Sequence, residues 1–213
     1  FRNLIKPDFD VVDKNKINFK RVIFNENINL IDQVKQLDTF GYSNTNILNG
    51  EIVNNILKES LQFDTFDLKK LNKNLHKKDL VINENESLDK YIERLNSLGV
   101  SRLTKTINLN NNNLTLNKII FSEEIINIAK SYLNTSKISV NATFFISNSI
   151  ETSEEEKYKN AQYFHWDNDF TKFFKMYIYL NDVNYENGPH IFIPGTHKLK
   201  KKENKLCRLF SDE

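Results

Sequence analysis

Apolar positions recur every three or four residues in the first half of the chain and every second residue in most of the rest. Leu30, Ile31, Val34 and Leu37 form one such stripe between residues 28 and 40, and Gly41 stands where that helix would end. Ile52, Val53, Ile56, Leu57 and Leu61 predict a second helix over 50–61. Two further helix-like stretches cover 66–78 and 87–98, the second with Leu88, Tyr91, Ile92 and Leu95 in register and Gly99 as its stop. Ser122, followed by Glu123 and Glu124, reads as an N-cap with an acidic first turn, opening a helix through Ile125, Ile126, Ala129, Tyr132 and Leu133.

Elsewhere the period shortens to two. Residues 1–25 suit one or two short strands, and 104–109 with 114–120 read as a hairpin around the Asn tract 110–113. From residue 138 the pattern is extended, over 138–146, 162–167, 172–181 and 190–194, with the charged stretch 151–159 as a loop. Along 173–180, Phe173, Lys175, Tyr177 and Tyr179 share one face and Phe174, Met176, Ile178 and Leu180 the other, so the second set is the expected core layer. Helices first and strands later, with no crossover helices between the strands, argue for an α+β fold whose second half is an antiparallel sandwich or barrel.

Composition narrows the function classes. A chain of 213 residues, 39% hydrophobic and with a net charge of +2, can bury a core and is neither a disordered nor a strongly basic nucleic-acid-binding chain. One domain is expected over 1–213, with 1–137 as mainly helical support including the hairpin and 138–213 as the β half. The single cysteine, Cys207, allows no internal disulfide, and no apolar run approaches the roughly 20 residues of a membrane span. A soluble, cytoplasmic protein with a small-molecule substrate and no nucleic-acid or membrane partner is expected. The start at Phe1 and the stop just after Leu209 and Phe210 predict a fragment of a longer protein.

Chemistry concentrates between 161 and 198, which holds three of the four histidines. His165 and Asp167 flank Trp166; two residues apart on a strand, an imidazole and a carboxylate can converge on one point while Phe164 and Trp166 pack behind them. That is half of a metal site. His76, in a polar stretch, is expected at the surface.

The order H-W-D at 165–167, Y-L-N-D-V at 179–183, N-G-P at 187–189 and P-G-T-H at 194–197 resembles the phytanoyl-CoA dioxygenase family of iron(II)- and 2-oxoglutarate-dependent oxygenases. The resemblance covers about 138–200, and upstream only the leading helix that ends in Gly41-Tyr42. It implies a helical N-terminal half packed on a double-stranded β-helix, or jelly roll, of which this chain carries the first half. It also implies Fe(II), 2-oxoglutarate as co-substrate, O2, and hydroxylation of a small molecule. His165 and Asp167 become catalytic metal ligands, two members of a His, carboxylate, His triad that leaves coordination positions open. Keeping Asp167, where related halogenases carry a small residue, favours hydroxylation over halogenation.

By the same resemblance Tyr177 stands beside the co-substrate and Lys175 can pair with its carboxylate, although Lys175 reads equally as a snorkelling lysine. His197 belongs to a conformational turn rather than to the metal, and His190 lines the pocket or packs. No histidine follows His197, and Arg208 lies too early to hold the distal carboxylate of 2-oxoglutarate. The distal His and Arg are therefore expected in roughly 70–100 further residues that also carry the remaining strands. Two other readings stay open: a non-catalytic jelly-roll ligand-binding module or a member without a complete metal site, and a cupin-like isomerase using His165, Asp167 and His190. The basic run 198–205 is either a solvated loop or a contact for an anionic substrate.

Overall fold

The structure, a computed structural model, describes residues 29–44, 48–63, 65–66, 75–110, 114–148, 150–151, 153–160, 162–167, 172–185 and 188–198. The strands expected in 1–25, and residues 199–213 with Cys207 and Arg208, lie outside the described residues. In chain order the elements are α1 (Leu30–Phe40), α2 (Gly50–Leu61), α3 (Lys77–Leu80), α4 (Leu88–Ser97), β1 (Arg102–Thr106), α5 (Thr115–Ile120), α6 (Glu123–Leu133), β2 (Thr143–Ser147) and α7 (Glu154–Lys159). A 3-10 turn lies at Thr196–Lys198.

Four helices form where periodicity and capping chemistry agree. The Asn29 side chain accepts the N–H groups of Ile31 and Asp32 to open α1, which closes at Gly41 with φ +84°. Asn49 caps α2, Ser87 caps α4 and Ser122 caps α6, each by accepting a backbone N–H of the first turn. These side chains satisfy donors that a helix start otherwise leaves open.

Three expectations are corrected. The helix expected over 66–78 is corrected at its ends, while 67–74 lie outside the described residues: Phe66 makes a β-bridge with Lys105, and Lys77–Leu80 form the short α3. His76 is exposed just ahead of α3, its N–H donating to Asp79 Oδ2 at 2.8 Å. The hairpin over 104–120 is replaced by a strand and a helix. β1 pairs with β2 instead, antiparallel, in the register Leu103↔Ile146 and Lys105↔Phe144. Residues 115–120 coil into α5, whose N-cap position, Leu114, has no capping side chain. Glu59 of α2 supplies the missing acceptors, taking the Thr115 N–H at 2.9 Å and the Thr115 hydroxyl at 2.7 Å. The charged loop 151–159 contains α7, because Ser153 accepts the Glu156 N–H and three glutamates fill the first turn, where a helix favours negative charge.

The core gathers around Ile56, Leu80, Tyr91, Leu95, Leu103 and Ile119. The alternation read along 173–180 holds: Met176, Ile178 and Leu180 pack on this cluster, while Phe174 and Met176 cover a second one of Leu37, Ile125 and Ile128, where α1 lies on α6. Lys105, on the core face of β1, is 0% exposed; its ammonium donates to the Leu61 carbonyl at 2.9 Å and lies 5.1 Å from the Phe66 ring centroid. The fold is α+β, and among the described residues the only hydrogen-bonded sheet is the two-stranded β1–β2. Among those residues 172–181 and 190–194 join no sheet, nor does 138–142 ahead of β2, and 162–167 has β pairing only as a bridge at His165.

Candidate metal centre

The segment carrying His165 and Asp167 is anchored at its start. Buried Asn160, just after α7, donates from Nδ2 to Ser101 Oγ at 3.1 Å, and its carbonyl accepts from Arg102 Nη1 at 2.9 Å. The Gln162 N–H then donates back to the Lys157 carbonyl at 3.0 Å.

His165 Nδ1 lies 2.7 Å from the Tyr163 carbonyl oxygen. A carbonyl can only accept, so Nδ1 carries the proton and Nε2 is the lone-pair nitrogen of the neutral ring. Nε2 faces Asp167 Oδ1 at 3.6 Å. Two donors each about 2.1 Å from one ion and separated by a tetrahedral or somewhat smaller angle sit about 3–3.5 Å apart, so the pair fits chelation of a single divalent cation with little adjustment. The Tyr163 carbonyl plays the orienting part that ligand histidines commonly receive from a second group. Both side chains are largely covered, 19% and 23% exposed. Trp166 is partly buried beside them, whereas Phe164 is 37% exposed, short of the packed position expected for it.

The other oxygen of Asp167, Oδ2, is 2.7 Å from Lys175 Nζ. Lys175 therefore lies on the site face of its segment, as the alternation predicts, but it meets the carboxylate expected to bind metal. Tyr177, next on that face, stacks on His190 with ring centroids 4.8 Å apart. The His190 N–H donates to the Tyr179 hydroxyl oxygen at 3.0 Å. One face thus brings together Asp167, Lys175, Tyr177, Tyr179 and His190. Desolvation holds the His190 pKa below its ordinary value, and a protonated His165 would push it the same way. Tyr177 is half-exposed by area, yet desolvation raises its phenol above the usual range against the opposing pull of Lys175 and Arg102.

No group of three or more His, Cys, Asp or Glu side chains that could hold a metal ion exists among the described residues. His190 stacks on Tyr177 rather than completing such a group, and His197 seats on α1, its Nε2 3.2 Å from the Asp38 carbonyl oxygen. The Gly195 N–H donates to the Phe40 carbonyl at 2.8 Å, so the P-G-T-H turn fastens onto the end of α1.

Arg102 is the residue that reading the chain missed. It enters from β1, far upstream of the motif, with its guanidinium 4.4 Å over the Phe145 ring and within electrostatic reach of Tyr177. Nothing in its local spacing marks it, since an arginine opening a strand is ordinary.

The family described as Phytanoyl-CoA dioxygenase (PhyH) matches residues 64–210. No curated protein and no solved structure matches the chain.

Proposed function

The chain belongs to the phytanoyl-CoA dioxygenase family, whose members are in general iron(II)- and 2-oxoglutarate-dependent oxygenases, and on that premise we propose that it hydroxylates a small-molecule substrate at His165 and Asp167. The observation that carries the reading is the His165 ring, locked by Tyr163 so that Nε2 faces Asp167 Oδ1. In the proposed reaction one substrate C–H bond becomes C–OH while 2-oxoglutarate becomes succinate and CO2, and the alcohol and the succinate each take one atom of dioxygen. Iron(II) and 2-oxoglutarate, when bound, supply dioxygen activation. His165 and Asp167 hold the ion, with the Asp167 carboxylate offsetting part of its charge. Retaining that carboxylate favours hydroxylation over halogenation.

Lys175 and Tyr177 stand where they can meet an anionic co-substrate, and the Tyr177–His190 stack walls the site on one side. A jelly roll around this face, with a third ligand beyond the described residues, belongs to the same proposal. So does a cytoplasmic setting without nucleic-acid or membrane partners; no helix among the described residues is long and apolar enough to cross a membrane.

One observation favours a second reading, a family member without a complete metal site that binds its ligand without turnover. The Lys175 ammonium already neutralises Asp167, as a metal ion would. Adding iron(II), 2-oxoglutarate and oxygen to the full chain and measuring succinate separates the two. Metal-dependent succinate that His165→Ala abolishes supports the oxygenase; equal succinate from both proteins refutes the assignment of His165.

A further inference from the structure

Two polar groups on the outer face of β1 are buried without hydrogen-bond partners, Arg102 Nε and Thr104 Oγ1. Residues two apart on a strand point the same way, so both lie on one face of β1. Opposite Thr104 in the β1–β2 register stands Phe145, over whose ring the Arg102 guanidinium lies. Arg102 spends Nη1 on the Asn160 carbonyl, and no carboxylate among the described residues pairs with it. The ring covers one flat side and Asn160 holds one end, which leaves the Nε and Nη2 edge, the edge that takes a carboxylate through two parallel hydrogen bonds. A clamp on Phe145 alone would need neither this unpaired edge nor a hydroxyl beside it, and buried donors without acceptors are costly.

We propose that Arg102 and Thr104 form a carboxylate receptor at the margin of the His165–Asp167 site, taking the acid group of a molecule that reaches past Tyr177 toward that pair. The receptor's place in catalysis rests on the function proposed above; its existence does not. The carboxylate belongs either to the dicarboxylate co-substrate or to an acidic substrate, and either source meets the same fork of donors. Burial of Arg102 adds to the case, since an arginine desolvated without an acid partner favours an incoming anion.

The test is calorimetric titration of the full chain with glutarate, 2-oxoglutarate and hexanoate, the last with 2-oxoglutarate already present, each with and without Mn(II). Arg102→Gln is expected to weaken at least one of these acids tenfold or more, Arg102→Lys to restore part of the loss, and the near-isosteric Thr104→Val to weaken the same acid severalfold. Thermal unfolding of Thr104→Val within a few degrees of wild type guards against misfolding as the cause. Loss confined to the dicarboxylates identifies the co-substrate as the source, and loss confined to hexanoate identifies the substrate. Glutarate carries no 2-oxo group with which to chelate a metal, so glutarate binding that survives in His165→Ala and fails in Arg102→Gln upholds the receptor even if the oxygenase reading falls. No binding of any of the three acids to wild type, or equal affinities in wild type, Arg102→Gln and Thr104→Val, overturns it.

Discussion

The imidazole of His197 lies directly over Gly41: a Cβ on that glycine would stand 2.8 Å from the ring carbon Cγ and 3.0 Å from Phe192 Cζ. Gly41 also holds φ at +84°, which closes α1 in the left-handed region. Conformation and space therefore demand glycine for separate reasons. The contact joins the end of the first helix to the P-G-T-H turn, two pieces far apart in the chain, and it explains His197 without a metal.

Gly41→Ala should cost about 2–3 kcal/mol, roughly 1 from the left-handed backbone and the rest from the clash. On a His197→Ala background the cost should fall to about 1–2 kcal/mol, because the backbone strain and the close approach to Phe192 remain. Denaturant unfolding of the four proteins in this cycle measures it; an equal penalty on both backgrounds would show that the ring does not press on residue 41.

A metal ion bound at Asp167, as proposed, would compete with Lys175, whose Nζ lies 2.7 Å from Oδ2. Lys175→Met should tighten Mn(II) binding severalfold, a modest gain because the ammonium is 38% exposed and screened by solvent. Asp167→Asn should reduce the same affinity far more. Weaker Mn(II) binding in Lys175→Met would mean that the lysine supports the site instead of occupying it.

Arg94 grips Glu86 through two hydrogen bonds, Nε to Oε1 at 2.8 Å and Nη2 to Oε2 at 2.7 Å. Those bonds hold the Glu86 pKa at about 2 rather than 4.5, against the opposing effect of desolvation. A carboxylate depressed on folding stabilises the native state above its unfolded value, so this contribution is complete above pH 4.5 and disappears as pH falls through about 2. Glu86→Gln should cost on the order of 2 kcal/mol at pH 7 and progressively less toward pH 2, followed by urea midpoints across that range. A pH-independent difference would contradict the ion pair as its source.

Glu59→Ala should fray α5 by removing the acceptor for the N–H and hydroxyl of Thr115. A loss of about 1–2 kcal/mol is expected, the ordinary value of a helix cap. Hydrogen exchange should speed up first at the amides of residues 117–120; unchanged protection there would assign α5 to core packing alone.

The comparison of α5 with α6 shows where local reading succeeds. Ser122 and two glutamates announce α6 within a few residues, but the cap of α5 comes from Glu59, far back on α2. Similarly Thr104 and its neighbours have strand character, yet the partner is β2 across two intervening helices rather than the next apolar run. The H-W-D triplet is legible because two-residue spacing and a neighbouring carbonyl act over very short distances. The Asp167–Lys175 pair was half legible: alternation puts Lys175 on the site face, but the folded chain makes Asp167 its partner.

The sequence by itself determined the capped helices, the two-sided segment from 173 to 180 and the His165–Asp167 pair, since dihedral preference, side-chain caps and strand alternation act between near neighbours. Only the tertiary structure decided that Lys105 is sealed in the core against Leu61 and Phe66 while Arg102 and Thr104, on the same short strand, keep open donors on its other face. The strand pattern allows either assignment for a cation. Which face is buried depends on the elements that arrive from elsewhere in the chain to cover it.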